Sequence, residues 1–184
     1  LGGPRFIESH SCDAFLDAGT EEVCVDNFCT GRPANLAPLV DAPGFTLLQH
    51  DVTNPLPDLG PLDVVFHLAS AASPDAYHRL PIETLRAGSL GTEHGLQLAE
   101  RHDARFVLAS TSEVYGDPER HPQTEDYVGH VNPVGPRSVY DEAKRFAEAM
   151  TFAYGRRRGV RVDLLVAGQE PEPDLPATGP ERAR

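Results

Sequence analysis

The chain has 184 residues, 40% of them hydrophobic, which is enough for one domain with a sizeable core. Sixteen Lys and Arg against 28 Asp and Glu give a net charge of −12. Such a surface repels nucleic acid and anionic membranes, although a helix N-terminus still holds an anionic nucleotide locally. No apolar run approaches the ~18–20 residues of a membrane helix, and no signal segment opens the chain. Cys12, Cys24 and Cys29 form no CxxC pair and read as reduced thiols, so a cytoplasmic protein with neither a membrane nor a nucleic-acid partner is expected.

In chain order, a helix is predicted over 6–17, then a strand over 22–26 in which Val23, Cys24 and Val25 are consecutive apolar residues. Further strands are predicted at 45–50, 62–68, 105–110 and 160–166. They are short and rich in Val, Leu or Phe without strict alternation, as befits strands buried on both faces. Helices are predicted at 82–101 and at 138–158, where Ala143, Ala147, Met150 and Tyr154 share one face. Strands alternating with helices imply an α/β fold, a doubly wound parallel sheet of the Rossmann-like kind. The proline-rich stretch 169–184 is expected to be irregular or disordered. The histidines show no metal-ligand spacing and no GxSxG is present, so neither a metal site nor serine-hydrolase chemistry is expected.

The opening segment falls where such a fold places its phosphate-binding turn, and Asp26 closes the next strand about 18 residues later, a spacing that suits an acidic residue on a ribose. Asp26 followed by Asn27 favours NAD over NADP, because a carboxylate binds a free 2′-hydroxyl and repels a 2′-phosphate. Tyr140 and Lys144 form a Tyr-x-x-x-Lys pair on the predicted 138–158 helix, one turn apart on one face. A nearby ammonium is expected to lower the phenol pKa from its usual ~10 and let Tyr140 act as a base. An exposed helix pair is the alternative. Thr111, Ser112 and Glu113 follow the strand at 105–110, at the carboxyl end where open α/β sheets bind ligands. They are expected to share hydrogen bonds with a reacting hydroxyl or to assist proton transfer, the alternative being a simple turn cap.

The segment Gly2-Gly3-Pro4-Arg5-Phe6-Ile7-Glu8-Ser9-His10 resembles the TGGAGFIGSH turn of the extended short-chain dehydrogenases. Gly2, Gly3, Phe6, Ile7, Ser9 and His10 keep its frame, while Arg5 and Glu8 replace its second and third fingerprint glycines. The second glycine lets the backbone approach a pyrophosphate and the third lets the helix pack closely on the strand. Whether Arg5 and Glu8 form an ion pair or take a functional role stays open. Asp51-Val52 resembles the family's adenine-contacting pair, with a turn carboxylate as the alternative for Asp51. His67-Leu68-Ala69-Ser70 resembles its HLA segment beneath the pyrophosphate and ribose.

The run Asn132-Pro133-Val134-Gly135-Pro136-Arg137-Ser138-Val139-Tyr140-Asp141-Glu142-Ala143-Lys144-Arg145 is similar to the NPxGPRSxYDExKR block of the UDP-glucuronate decarboxylases, as is Ser110-Thr111-Ser112-Glu113-Val114-Tyr115-Gly116-Asp117-Pro118 upstream. The resemblance implies an NAD-dependent lyase. Tyr140 removes a hydroxyl proton while NAD oxidises C4 of UDP-glucuronate, the β-keto acid loses CO₂, and the reduced cofactor returns its hydride to give UDP-xylose. Lys144 hydrogen-bonds the nicotinamide ribose, and a homodimer forms through a four-helix interface built from 82–101 and 138–158. Residues 1–166 are then a dinucleotide-binding domain that lacks its first strand, 167–184 a tail, and the substrate domain is absent.

Two other readings stay open: a catalytically inactive NAD- or sugar-nucleotide-binding module, and another sugar-nucleotide 4,6-dehydratase or 4-epimerase. One departure bears on them. Gly88 stands where the family's TNVLGT segment has Asn, and loss of a helix-stabilising or proton-relay contact is expected there.

Overall fold

The structure is a computed structural model and describes residues 6–167. Helix α1 (Phe6–Asp17) leads into β1 (Glu22–Asp26), which pairs in parallel with β2 (Phe45–Gln49). After β3 (Val64–His67) come the short helices α2 (Pro74–Arg79) and α3 (Pro81–Arg86), a π-helical turn at Ala87–Gly91, and α4 (Thr92–Arg101). Strand β4 (Arg105–Thr111) passes through a 3-10 turn, Ser112–Tyr115, and a long loop to α5 (Ser138–Arg158) and β5 (Arg161–Ala167). β4 is the middle of a second parallel sheet, with β3 on one side and β5 on the other. Residues 169–184, expected to be irregular, lie outside the described residues.

Consecutive strand residues point to opposite faces, and the core follows that alternation. Val25 and Val65 belong to one apolar cluster with Leu96, Leu98, Ala99 and Ala147 of α4 and α5. Their neighbours turn the other way: Cys24 packs with Cys12 of α1, and the Phe66 ring meets Phe15 of α1 at 5.2 Å. Helices therefore cover both faces, which is why these strands carry no polar alternation.

Among the described residues the hydrogen-bonded sheet is in two parts, β1–β2 and β3–β4–β5. They are joined by packing: α1 reaches β1 through Cys12 and β3 through Phe15 on one face, and the large cluster spans both parts on the other.

The helix predicted over 82–101 is a helical run broken into α3, a π turn and α4. The extra residue of a π turn re-aims the chain without ending it. At this turn Gly88 lies against α5, where a Cβ would stand 2.7 Å from the Ala143 Cβ. Helix α2 was not expected; Pro74 and Pro81 each open a single short helix at a position where a missing N–H costs nothing.

Candidate active site

Strand carboxyl ends gather the chemistry. Asp26 ends β1, Asp51 follows β2, Leu68 follows β3 and Thr111 ends β4. Asp26, Asn27, Asp51, Val52, Leu68, Ala69 and Ser70 line a single open cleft, together with Cys29, Thr30, Glu83 and Arg86. The structure thus brings together every predicted cofactor residue from Asp26 to Ser70. Gly2 and Gly3 lie outside the described residues, and the side chains of Phe6 and Ile7 do as well, although their backbone opens α1.

Asp51 is fixed from three directions. Its Oδ1 accepts from the Thr53 amide at 2.9 Å and from the Thr53 hydroxyl at 2.8 Å, and its Oδ2 accepts from Asn27 Nδ2 at 3.1 Å. Partial burial pushes the carboxyl upward, but these hydrogen bonds outweigh it and hold the group below its usual value. Asp51 is thus a turn carboxylate and also a cleft wall. Asp26 accepts from the Phe28 amide in a tight turn, with Phe28 at φ 60°.

At the neighbouring strand end, Tyr140 is buried, lies by the Thr111 side chain, and feels the Glu113 charge. Thr111 caps the 3-10 turn, its Oγ1 accepting from the Glu113 amide at 3.3 Å. Arg137 holds Glu113 by an ion pair of 2.7 Å, and Ser112 opens the same turn. Lys144 is buried, donates to the Ala109 carbonyl at 2.7 Å, and lies 5.9 Å from the centre of the Tyr140 ring.

One expectation is reversed. Burial, and then the Glu113 carboxylate, push the Tyr140 phenol up to about 12, against the lowering by the nearby Thr111 side chain.

Tyr140 and Lys144 do not line the cleft itself, but they border it. Tyr140 packs with Ala71, a cleft residue, and with Tyr77, whose ring stacks on it at 5.4 Å and 13°. His67 lies beneath Leu68 with its Nε2 3.3 Å from the Ala87 carbonyl, and burial followed by the Lys144 charge drops its pKa to about 3. The imidazole is therefore neutral, and its Nε2 carries the proton it donates to Ala87.

Tyr77, Arg137 and the role of His67 were not foreseen. An aromatic between two prolines and an arginine inside a motif carry no signal of which side chain they will meet.

Among the described residues no helix is long and apolar enough to cross a membrane. The chain is similar to proteins named UDP-glucuronic acid decarboxylase 1: it is 52% identical over 161 residues to one from Danio rerio, covering 88% of this chain and 38% of that protein. An Arabidopsis thaliana protein of the same name is 48% identical over 163 residues, with 89% and 37% covered. The chain thus spans well under half the length of these relatives. Among solved structures, a UDP-galactose 4-epimerase matches with a TM-score of 0.71 at 32% identity, covering 86% of this chain and 51% of that one. A dTDP-glucose 4,6-dehydratase from Streptomyces venezuelae matches with a TM-score of 0.77 at 27% identity, covering 90% and 53%. The model of the NAD dependent epimerase/dehydratase family matches residues 1–168, and with the strand-end cleft and the Thr111, Tyr140 and Lys144 arrangement already in place, the chain belongs to that family.

Proposed function

We propose that this chain is the dinucleotide-binding part of a UDP-glucuronate decarboxylase that makes UDP-xylose with NAD as its cofactor. The convergence of Thr111, Glu113, Tyr140 and Lys144 beside the cleft carries this reading, and the shared name of relatives about half identical supports it. We place the dinucleotide-binding domain at residues 1–166.

The cleft fits a dinucleotide. Asp26 and Asp51 offer carboxylate acceptors at adjacent strand ends, suited to ribose hydroxyls and a base amino group, and the small residues Ala69, Ser70 and Ala71 leave room for backbone approach. When bound, NAD supplies oxidation of the sugar at C4 and its later reduction.

The residues of the chain handle the protons. At about 12 the Tyr140 Oη keeps its proton at neutral pH, so the step for which it stands ready is donation to the C4 oxygen. Taking the proton of the C4 hydroxyl demands a lower phenol pKa, and Thr111 and Lys144 are the groups placed to lower it as ligand enters. Glu113, fixed by Arg137, orients the sugar. Tyr140 packing against Ala71 and Tyr77 keeps water from one side of the phenol.

A homodimer through the helices at 82–101 and 138–158 is supported by the exposure of Ile82 and Leu85 on α3, Leu90 in the π turn and Phe146 on α5. The unpaired Cys12, Cys24 and Cys29 support a cytoplasmic location.

The test is titration with NAD followed by incubation with UDP-glucuronate. Binding with release of CO₂ and UDP-xylose supports the proposal. A 4-keto sugar or a C4 epimer as the end product points to a dehydratase or an epimerase, and neither binding nor turnover points to an inactive module.

A further inference from the structure

Three side chains of α5 at four-residue spacing, Tyr140, Lys144 and Glu148, lie on one helix face. Each takes hold of a different residue at the end of β4. The Tyr140 phenol lies by the Thr111 side chain and feels it, Lys144 donates to the Ala109 carbonyl at 2.7 Å, and Glu148 Oε1 accepts from the Ser110 hydroxyl. Ser110 is buried and Glu148 half-buried. Residues 109–111 are therefore gripped one after another just before the turn that carries Ser112 and Glu113.

We propose that Glu148 is a positioning residue: by holding the buried Ser110 hydroxyl it sets the height of the β4 end against α5, and so fixes Thr111 against Tyr140. The inference rests on the proposed decarboxylase reading, which gives Thr111 and Tyr140 their chemistry.

The geometry explains why a carboxylate serves here. A hydroxyl on a strand end needs an acceptor at fixed distance, and Glu148 reaches it from the helix face that already carries the phenol and the amine. A carboxamide oxygen accepts the same hydrogen bond, whereas an apolar side chain leaves Ser110 without a partner. The Lys144 bond falls on the Ala109 backbone carbonyl and does not select a Ser110 rotamer.

The test uses the full chain in four forms, wild type, Glu148→Leu, Glu148→Gln and Ser110→Ala, with amide hydrogen exchange, NAD titration and turnover of UDP-glucuronate. Glu148→Leu and Ser110→Ala should each speed exchange at residues 111–115 by about tenfold, leaving β1 and β2 unchanged. They should lower kcat by roughly 10²-fold, the effect of a small misplacement at the reacting centre. KM and NAD affinity should stay within about twofold, since ground-state binding is untouched. Glu148→Gln should restore both exchange and kcat, and the double variant Ser110→Ala with Glu148→Leu should be no worse than either alone.

Unchanged exchange at 111–115 in both Glu148→Leu and Ser110→Ala overturns the proposal. So does a Glu148→Gln chain as impaired as Glu148→Leu, or a loss shared equally by kcat and NAD affinity. If Glu148→Leu fails to fold, Ser110→Ala and Glu148→Gln carry the same comparison. A wild-type chain that neither binds NAD nor turns over sinks the functional reading, and the exchange measurement alone then decides whether Glu148 holds the strand end.

Discussion

Gly88 in the π turn lies so close to Ala143 on α5 that a Cβ on Gly88 would come within 2.7 Å of both the Ala143 Cβ and its carbonyl oxygen. The resemblance to relatives suggested that Asn is the fitting residue here and that Gly88 loses a contact. In this packing the missing side chain is what allows the turn to rest on the helix that carries Tyr140 and Lys144. Gly88→Ala is expected to destabilise by about 1–3 kcal/mol through overpacking, although Ala is the better helix former by about 1 kcal/mol. Gly88→Asn should cost more. Urea unfolding of the two variants checks the order.

His67 makes stability depend on pH with a definite sign. Its folded pKa is about 3 against the usual 6.5, so the unfolded chain binds a proton that the folded chain refuses. Its contribution is full above pH 6.5 and is lost as pH falls toward 3, at about 1.4 kcal/mol per pH unit inside that window. His67→Gln keeps a donor for the Ala87 carbonyl and removes the titration, so its unfolding free energy should vary less between pH 7 and pH 5. Denaturant curves of both proteins at the two pH values measure the difference.

The Tyr140 phenol titrates late because it is buried beside the Glu113 charge. Glu113→Gln should bring its pKa down from about 12, and Thr111→Val, which deletes the hydroxyl that lowers it, should push it further up. Tyrosinate absorbance, read as the difference from a Tyr140→Phe chain, follows this single group. A Glu113→Gln phenol that titrates no earlier would disprove the electrostatic account.

Asp26 ends β1 inside the cleft, and its carboxylate is the group that would select a free ribose hydroxyl. Asp26→Ser is expected to weaken NAD binding by about 1.5–3 kcal/mol, the usual worth of a hydrogen bond to a charged group. The same change should narrow the preference over NADP. Calorimetric titration with both dinucleotides provides the check.

Much of this was written locally in the chain. The strands at Glu22–Asp26 and Phe45–Gln49 and the helices at Phe6–Asp17 and Ser138–Arg158 follow from runs of apolar residues, their spacing and their Gly punctuation. The Tyr140 and Lys144 pair shares a face because four residues make about one helical turn. The strand-end cleft followed as well, since parallel strands with helices on both faces bring Asp26, Asp51 and Leu68 to the same edge.

Only the tertiary structure decided what those groups feel. A phenol pKa depends on burial and on charges arriving from elsewhere in the chain, so spacing to Lys144 suggested a lowering while the packing of Glu113 and Tyr77 produced a rise. The π turn at Ala87–Gly91, the contact of Gly88 with Ala143 and the hold of Glu148 on Ser110 are likewise relations between segments distant in sequence. Periodicity reports which face of an element is apolar; which atom of another element comes to rest on that face is set by three-dimensional packing.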